Sequence, residues 1–194
     1  MSKILLFETI KIEDGKIFNL PYHQARLDKS SKTLWNPRDT NIILSSIIDP
    51  PKKGLHRCRV CYSNTLHSIE YIPYIYKEIK TIKIVSASID YAFKYVDRTE
   101  INALLALHTQ ADDILIEKNG YLSDTSIANI AFYDGSKWFT PSNPLLEGTM
   151  RNKLISEGFL HTKKIKKEEI NNYSQVALMN AMLGFKIISD LKIR

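Results

Sequence analysis

The stretch from Asp112 to Arg151 reads DDILIEKNGYLSDTSIANIAFYDGSKWFTPSNPLLEGTMR and decides the fold of this chain. It predicts a meander of three short strands, Ile114–Ile116, Ile127–Tyr133 and Lys137–Thr140, with turns at Lys118-Asn119-Gly120 and Asp134-Gly135-Ser136. Prolines end the last strand, and helical spacing follows over Arg151–Glu157. One carboxylate, Asp124, lies inside the meander, and the loop that opens the helix suits a phosphate. The stretch therefore predicts a cofactor with a basic end and a phosphorylated end.

The composition is that of an ordinary globular protein. Charged residues make up 25% and hydrophobic residues 44% of the 194 positions. No apolar run approaches the roughly 20 residues that a membrane helix needs. Glu8 interrupts the apolar run Ile4–Phe7 too early for a secretory signal. We therefore expect a soluble, cytoplasmic protein without a membrane partner.

The net charge of +6 leaves two interpretations open. The densest basic cluster spans Lys163–Lys167 and is followed at once by Glu168 and Glu169. A solvated surface explains this pattern, and so does a patch that binds nucleic acid. A basic nucleic-acid-binding module is therefore kept as an alternative function from another class.

Cys58 and Cys61 form a CxxC within a β-like segment. Residues three apart on a strand point to opposite faces, which suits neither a disulfide nor a shared metal. No second CxxC completes a tetrahedral site. We expect two reduced structural cysteines and no metal site.

The first part of the chain predicts a small α+β unit. Its elements are a hairpin over Ile4–Ile12 and Lys16–Asn19, helices over Gln24–Leu34 and Asn41–Ile48, and strands over Leu55–Ser63 and Ser68–Tyr74. Trp35-Asn36-Pro37 is expected to end the first helix. The charged segment Tyr76–Lys80 is the candidate linker, so we predict domains at 1–78 and 79–194.

The second part predicts a β-rich domain around the meander. Outside the meander we expect a strand over Thr81–Ala87, a helix over Thr99–His108, a helical turn over Lys167–Asn171, a buried strand over Val176–Ala181 and a final hairpin arm over 186–194.

Lys94 stands among the aromatic residues Tyr91, Phe93 and Tyr95, between a predicted strand and a predicted helix. A lysine desolvated there is suited to imine formation or proton transfer. A surface lysine whose stem lies over tyrosines gives the same local pattern. The local sequence leaves both interpretations open.

Several motifs occur together in one order along nearly the whole chain. They are Phe7-Glu8-Thr9 with Asp14-Gly15, His23–Leu27, Lys94 with Arg98, Asp113–Gly120, Asp124 with Asn129, Thr140-Pro141 and Leu146–Arg151. This ordered set resembles the class IV aminotransferases, the pyridoxal 5′-phosphate (PLP) enzymes of fold type IV. That family includes branched-chain and D-amino-acid aminotransferases and 4-amino-4-deoxychorismate lyase.

The resemblance implies roles for the residues that hold PLP. Lys94 matches the lysine that holds PLP as a Schiff base and moves the substrate proton. Asp124 matches the acidic residue that faces the pyridine nitrogen and keeps it protonated. Arg26 matches the phosphate-binding arginine. Thr9, by its position in the motif, is expected near the substrate or the lysine.

Further residues complete the implied cofactor site. Gly148, Thr149 and Met150 resemble the phosphate cup, through the amides of Thr149 and Met150 and the hydroxyl of Thr149. Asn129 is expected to order the loop behind Asp124. Tyr95 is a candidate hydrogen-bond partner of the cofactor, although packing is the more common role of an aromatic residue there.

The family's fold is α+β, with a small α/β sandwich, a larger β-rich pseudo-barrel domain and PLP between them, in a homodimer. The segments Lys94–Glu100 and Met179–Ala181 are most similar to the aminodeoxychorismate lyases, which release pyruvate and form 4-aminobenzoate in folate biosynthesis. Candidate residues on the substrate side are Arg59, Arg98, Asn180, Ala181 and Lys186. A branched-chain or D-amino-acid aminotransferase is the alternative within the family.

The chain departs from the family pattern in two places. Most members have Glu where this chain has Asp124, so the loop must approach the cofactor more closely. Members also carry a further strand before the segment that matches Phe7-Glu8-Thr9. A catalytically silent homologue is therefore a third interpretation.

Overall fold

The computed structural model describes residues 4–35 and 41–194, which divide into two compact units. The first unit comprises the residues up to Tyr76 together with Phe93–Asp97, and the second comprises Lys77–Ala92 together with Arg98–Arg194. The first change of unit falls inside the predicted linker. Lys94, which was predicted in the C-terminal domain, groups with the N-terminal unit. Strands and helices in both units confirm the α+β fold class.

The first unit is one antiparallel sheet with two helices. Its elements are β1 (Leu6–Glu13), β2 (Lys16–Ile17), α1 (Leu20–Leu34), α2 (Leu44–Ile47), β3 (Leu55–Tyr62) and β4 (Leu66–Pro73), and the strand order is β2-β1-β3-β4. Alternate residues of β1 are buried, so one face of the strand meets the core and the other carries Phe7 and Thr9. The core-facing residues of this strand are Leu6, Glu8, Ile10 and Ile12.

The helices of this unit differ in length from the predictions. Helix α1 begins at Leu20, earlier than predicted, because Pro21 fits the first helical turn. Helix α2 is only Leu44–Ile47, so the predicted helix over Asn41–Ile48 is too long at both ends. Trp35 is extended and ends α1, whereas Asn36 and Pro37 of the predicted stop lie outside the described residues.

The second unit contains two sheets and two α-helices among its described residues. Its elements are β5 (Thr81–Ser86), α3 (Thr99–Ala106), β6 (Asp113–Lys118), β7 (Tyr121–Thr125), β8 (Asn129–Tyr133), β9 (Trp138–Pro141), α4 (Thr149–Ser156), β10 (Leu160–Lys163), a 3₁₀ helix (Lys167–Asn172), β11 (Gln175–Asn180), β12 (Gly184–Ile187) and β13 (Lys192–Ile193). The strand orders are β13-β5-β6-β7 and β10-β9-β8-β11-β12.

The predicted meander is correct in its position but lacks one strand. Strand β7 pairs with β6 through a tight turn in which Asn119 and Gly120 have positive φ angles of 54° and 80°. This strand is polar in sequence, YLSDT, yet four of its five residues are buried. The predicted strand over Ile127–Tyr133 starts only at Asn129, because the Thr125 hydroxyl accepts the Ala128 N–H and closes a turn.

The predicted C-terminal hairpin arm over 186–194 is correct only at its start. Lys186 and Ile187 belong to β12, which pairs antiparallel with β11, but the rest of the segment does not continue this hairpin. Strand β13 pairs in parallel with β5, more than a hundred positions earlier in the sequence. The N–H of Arg194 donates to the Ile82 carbonyl at 2.9 Å, and the N–H of Ile84 donates to the Arg194 carbonyl at 2.7 Å. The end of the chain is therefore an edge strand of a sheet in the second unit.

None of the helices in the described ranges combines the length and the apolar character needed to cross a membrane.

Candidate active site

Asp124 lies near the end of β7 and is only 4% exposed. One carboxylate oxygen, Oδ1, accepts a hydrogen bond of 2.8 Å from the Asn129 side-chain amide. The other, Oδ2, accepts one of 2.9 Å from the Leu146 N–H. Both partners are donors, so the hydrogen bonds favour the ionised carboxylate.

The protonation of Asp124 reflects a balance between burial and its partners. Burial raises the pKa of Asp124 to about 6, although the hydrogen bonds from Leu146 and Asn129 and the charge of Arg151 act in the opposite direction. A carboxylate that is buried among donors is most stable beside a cationic group. This arrangement suits a ligand whose nearest atom carries a positive charge.

Asn129 connects Asp124 to the loop that precedes α4. Its Nδ2 also donates to the Leu146 carbonyl at 2.9 Å. A Cβ atom on Gly148 would lie 2.0 Å from Asn129 Oδ1, so only glycine leaves room for this side chain. Asn129 and Gly148 therefore fix the loop around Asp124.

Helix α4 begins directly after this loop, with Gly148 as its N-cap residue. Thr149, its first residue, is 3% exposed. Arg151 is 5% exposed and donates from Nη2 to the Pro141 carbonyl at 3.0 Å. Burial lowers the pKa of Arg151, against the charges of Asp124 and Glu147, and its Nε finds no hydrogen-bond partner within the described residues. A buried cation and a helix N-terminus together suit a phosphate.

The turn that follows Asp124 contacts two residues that were predicted on the substrate side. Arg98 donates from Nη2 to the Ser126 carbonyl at 2.7 Å. Asn180 donates from Nδ2 to the Ile127 carbonyl at 3.2 Å. Asn180 also accepts the N–H groups of the turn after Ala181, at 2.9 and 2.8 Å. Both residues are therefore tied to backbone of their own unit.

Lys94 lies in the other unit and is held by the start of β1. The Phe7 N–H donates to the Lys94 carbonyl at 2.9 Å, and Tyr95 forms an isolated bridge with Leu6. The Lys94 Nζ lies 4.7 Å from the centre of the Phe7 ring. The backbone of β1 thus determines where the Lys94 side chain starts.

Arg59 contacts the same aromatic ring as Lys94. Its Cζ lies 4.7 Å from the centre of the Phe7 ring. Arg59 is also the cross-strand partner of Thr9, on the same face of the sheet as Phe7. Three predicted site residues, Lys94, Arg59 and Thr9, therefore lie at one region of the first unit.

Arg26 is bound to Glu8 on the opposite, core-facing side of β1. It donates from Nε to Glu8 Oε1 at 2.8 Å and from Nη2 to Glu8 Oε2 at 2.5 Å. His23 Nδ1 lies 2.6 Å from Glu8 Oε2. Sequence reasoning included Glu8 and His23 in motifs but gave neither a role. Their positions in those motifs were the only signal available.

The charges of this triad are well defined. Burial favours the neutral acid, but the Arg26 guanidinium and the hydrogen bonds from His23 and Arg26 outweigh it and lower the pKa of Glu8 to about 2. Burial lowers the pKa of His23, so the ring is neutral at pH 7 and donates its Nδ1 proton to Glu8. Arg26, the predicted phosphate-binding residue, is thus held in a fixed orientation.

The two cysteines and the basic cluster have ordinary surroundings. Cys58 is buried, Cys61 is half-buried, and both are free thiols. Within the basic cluster, Lys163 donates to the Tyr173 hydroxyl at 3.1 Å, and Lys167 lies 3.6 Å from Glu117. Ile165, between them, is fully buried. The positive charge of the cluster is therefore shared with neighbouring groups of the same unit.

Comparison with protein families matches residues 5–191 to the family described as amino-transferase class IV. A protein of uncharacterised function from Haemophilus influenzae is 40% identical over 184 residues, which cover 92% of this chain and 98% of that protein. A Schizosaccharomyces pombe protein that carries the provisional name aminodeoxychorismate lyase is 28% identical, over 93% of this chain and 87% of its own.

A solved structure is also similar to this chain over nearly its full length. The crystal structure of a protein from Haemophilus somnus 129pt, provisionally named 4-amino-4-deoxychorismate lyase, is 36% identical and superposes with a TM-score of 0.87. The match covers 95% of this chain and 99% of that one. The fold is therefore shared over almost the full length of both chains.

Proposed function

Because the chain belongs to the class IV aminotransferase family of PLP-dependent enzymes, we propose that it releases pyruvate from 4-amino-4-deoxychorismate and forms 4-aminobenzoate. The names of the S. pombe relative and of the H. somnus structure support the lyase reaction. A branched-chain or D-amino-acid aminotransferase is the alternative within the same family.

The observation that carries the proposal is the environment of Asp124. Its carboxylate is buried and accepts hydrogen bonds from the Asn129 side-chain amide and the Leu146 N–H. Burial raises its pKa to about 6. A protonated pyridine nitrogen supplies the cation that such a carboxylate requires. Asp124 then keeps the proton on that nitrogen, and the nitrogen keeps Asp124 ionised.

Each unit contains residues that the resemblance assigns to PLP binding. In the second unit, Asp124 suits the ring nitrogen, and Thr149 with the first turn of α4 suits the phosphate. In the first unit, Lys94 supplies the amine for covalent attachment, and Arg26 supplies a planar guanidinium for the phosphate.

PLP, when bound, supplies an electron sink for the amino-bearing carbon of the substrate. The residues of this chain do the remaining work. The Lys94 Nζ would remove the proton at that carbon, the C–O bond to the enolpyruvyl group would break, and Lys94 would return the proton to this leaving group, which becomes pyruvate. Asn129 holds the Asp124 carboxylate in position during both transfers.

The substrate carries two carboxylates, so its recognition requires positive charge. Arg59 is the favoured partner, because its guanidinium lies over the same ring as Lys94. Asn180 and Ala181 are the further candidates, at the turn between β11 and β12. We also infer a homodimer, which sedimentation equilibrium tests directly.

The test of the cofactor assignment is the visible spectrum. Protein mixed with PLP should gain an absorption band that persists through gel filtration, and Lys94→Ala should lose it. Lys137→Ala, which removes an exposed lysine elsewhere in the chain, should keep the band. A wild-type protein that stays colourless after mixing with PLP contradicts the proposal.

A second experiment separates the two reactions. The lyase should release pyruvate and 4-aminobenzoate from aminodeoxychorismate with no keto acid added. A strict requirement for a keto-acid acceptor identifies the aminotransferase instead.

A further inference from the structure

Both peptide groups of Ser126 are held by charged side chains from distant parts of the chain. The Ser126 N–H donates to Asp113 Oδ1 at 3.2 Å, and the Ser126 carbonyl accepts from Arg98 Nη2 at 2.7 Å. Asp113 is the first residue of β6, and Arg98 immediately precedes α3. Ser126 itself is 5% exposed. One residue of the turn is therefore clamped from two sides.

Asp113 is buried although its carboxylate is only partly hydrogen-bonded. It is 1% exposed, and its Oδ2 has no hydrogen-bond partner among the described residues. Its Oδ1 accepts two hydrogen bonds, one from the N–H of the neighbouring Ile114 at 2.8 Å and one from the Ser126 N–H. Burying a carboxylate with one oxygen unsatisfied costs stability. The bond to Ser126 connects the Asp113 side chain to the turn between β7 and β8.

Tyr91 orients the Arg98 side chain that contacts the turn. Its Nη1 donates to the Tyr91 hydroxyl at 3.2 Å, and its Cζ lies 5.4 Å from the centre of the Tyr91 ring. A planar guanidinium held by an aromatic residue loses little further entropy when it binds a carbonyl. Its two terminal nitrogens are thus both engaged within the second unit.

The clamped turn connects the two residues that matter most in this unit. It joins β7, which carries Asp124, to β8, which begins with Asn129. The side chains of these two residues share a hydrogen bond of 2.8 Å. Because β7 and β8 belong to different sheets, this turn is the direct covalent link that places Asn129 beside Asp124.

We propose that Arg98 and Asp113 are positioning residues that clamp the Ser126 peptide groups and thereby keep Asn129 bonded to Asp124. Arg98 then acts through the turn, and it does not bind a substrate carboxylate. The functional meaning of the clamp rests on the proposed role of Asp124. The clamp itself is a property of the protein without cofactor.

Hydrogen exchange in the cofactor-free protein tests the clamp. In Arg98→Met and in Asp113→Ala, the backbone amides of Ser126 and Ala128 and the side-chain amide of Asn129 should exchange about tenfold faster than in wild type. Arg98→Lys should give an intermediate rate, because lysine keeps the charge but loses the planar fork.

Two further variants test the clamp if removing a charge disturbs folding. Tyr91→Phe removes only the hydroxyl that orients Arg98, and it should accelerate the same amides to a smaller extent. Lys118→Met removes another cation that donates to a backbone carbonyl, that of Ile89 at 2.9 Å, and it should leave the turn unchanged.

Two outcomes overturn the proposal. One is unchanged exchange of the turn in both Arg98→Met and Asp113→Ala. The other is a raised KM with unchanged exchange in Arg98→Met, which assigns Arg98 to substrate binding. A protein that shows the faster exchange but binds no PLP leaves the clamp established and rejects the proposed function instead.

Discussion

At the scale of single residues, Asp124 and Glu8 are two buried carboxylates with opposite electrostatics. Burial dominates at Asp124 and raises its pKa to about 6. At Glu8 the guanidinium of Arg26 lies against the carboxylate, and the pKa falls to about 2. Glu8 thus carries its own counter-charge, and Asp124 is arranged to receive one.

Asp124→Asn should lower kcat/KM by roughly 100-fold or more, the typical loss when one preorganised electrostatic group is removed. A carboxamide presents one N–H₂ group, so one of the two donors on Asp124, Asn129 or Leu146, would face another donor. Steady-state kinetics measures the loss. Asp124→Glu keeps the charge and should retain more activity than Asn; equal activity of the two variants contradicts the electrostatic role.

The raised pKa of Asp124 predicts how the stability of the cofactor-free protein depends on pH. Folding raises the pKa of Asp124 from an ordinary value of 3.8 to about 6. The folded state therefore binds the proton more tightly than the unfolded state does. The contribution of this group is therefore complete at low pH and is lost as the pH rises through about 6. Urea unfolding from pH 4 to pH 7 should show a decline that is smaller in Asp124→Asn. An equal decline in both proteins rules out Asp124 as its source.

Glu8→Gln should lower the free energy of unfolding by about 3 kcal/mol, because it leaves the guanidinium of Arg26 with an uncompensated buried charge. The lowered pKa adds a pH signature: the contribution of Glu8 is present above pH 4.5 and is lost as the pH falls toward 2. Denaturant titrations at several pH values measure both effects.

The same strand offers a matched control. Glu13 pairs with Lys11 at 2.8 Å, and the Glu13 side chain is 43% exposed. Glu13→Gln should change stability by less than about 1 kcal/mol. Similar losses in the two variants would show that the Glu8 ion pair has no special energetic weight.

At the scale of elements, the loop before α4 is packed against Asn129, the first residue of β8. Gly148 has φ −65° and ψ 143°, which alanine also adopts, so the need for glycine is steric. The obstacle is the Asn129 side chain, 2.0 Å from the position of a Cβ atom.

Gly148→Ala should therefore destabilise the protein by about 1–3 kcal/mol and weaken PLP binding, because Asn129 must move away from Asp124. A double-mutant cycle checks the cause. In the background Asn129→Ala the alanine at 148 should cost much less than in wild type. Additive effects of the two changes would contradict the steric explanation.

Local sequence pattern predicted the elements whose spacing is local and missed those that tertiary contacts create. The tight turn at Asn119-Gly120 was evident from two residues. Strand β7 was not, because Ser123, Asp124 and Thr125 have low or mixed β propensity and are buried only by the surrounding sheets. The parallel pairing of β13 with β5 spans too much sequence for any local pattern to reveal.

At the scale of the whole molecule, the net charge of +6 favours an anionic substrate. For a dianionic substrate, kcat/KM should fall several-fold between low and physiological ionic strength, while kcat stays constant. Stopped-flow or initial-rate measurements in a salt series test this. A kcat/KM that does not vary with salt shows that steering by net charge is unimportant.

The ordered motifs identified the candidate residues, but they did not predict which residues contact each other. Glu8 and Arg26 are 18 positions apart, and Asp113 and Ser126 are 13 apart. The two residues of each pair do not share a helix or a strand, so no helical or strand period in the sequence links them. The assignments of Lys94, Arg26, Thr9, Asn180 and the phosphate cup remain predictions that rest on the resemblance.

The chain passes between the two units three times, at Tyr76/Lys77, Ala92/Phe93 and Asp97/Arg98. A single proteolytic nick after Lys77, beside the 89% exposed Ile75, would therefore not release the N-terminal fragment. Lys94 and Val96, in the larger fragment, would stay hydrogen-bonded to Phe7 and Leu5 in the N-terminal fragment. Two bands under denaturing conditions should co-elute as one species under native conditions. For the same reason, a fragment that ends at Tyr76 lacks part of its own fold.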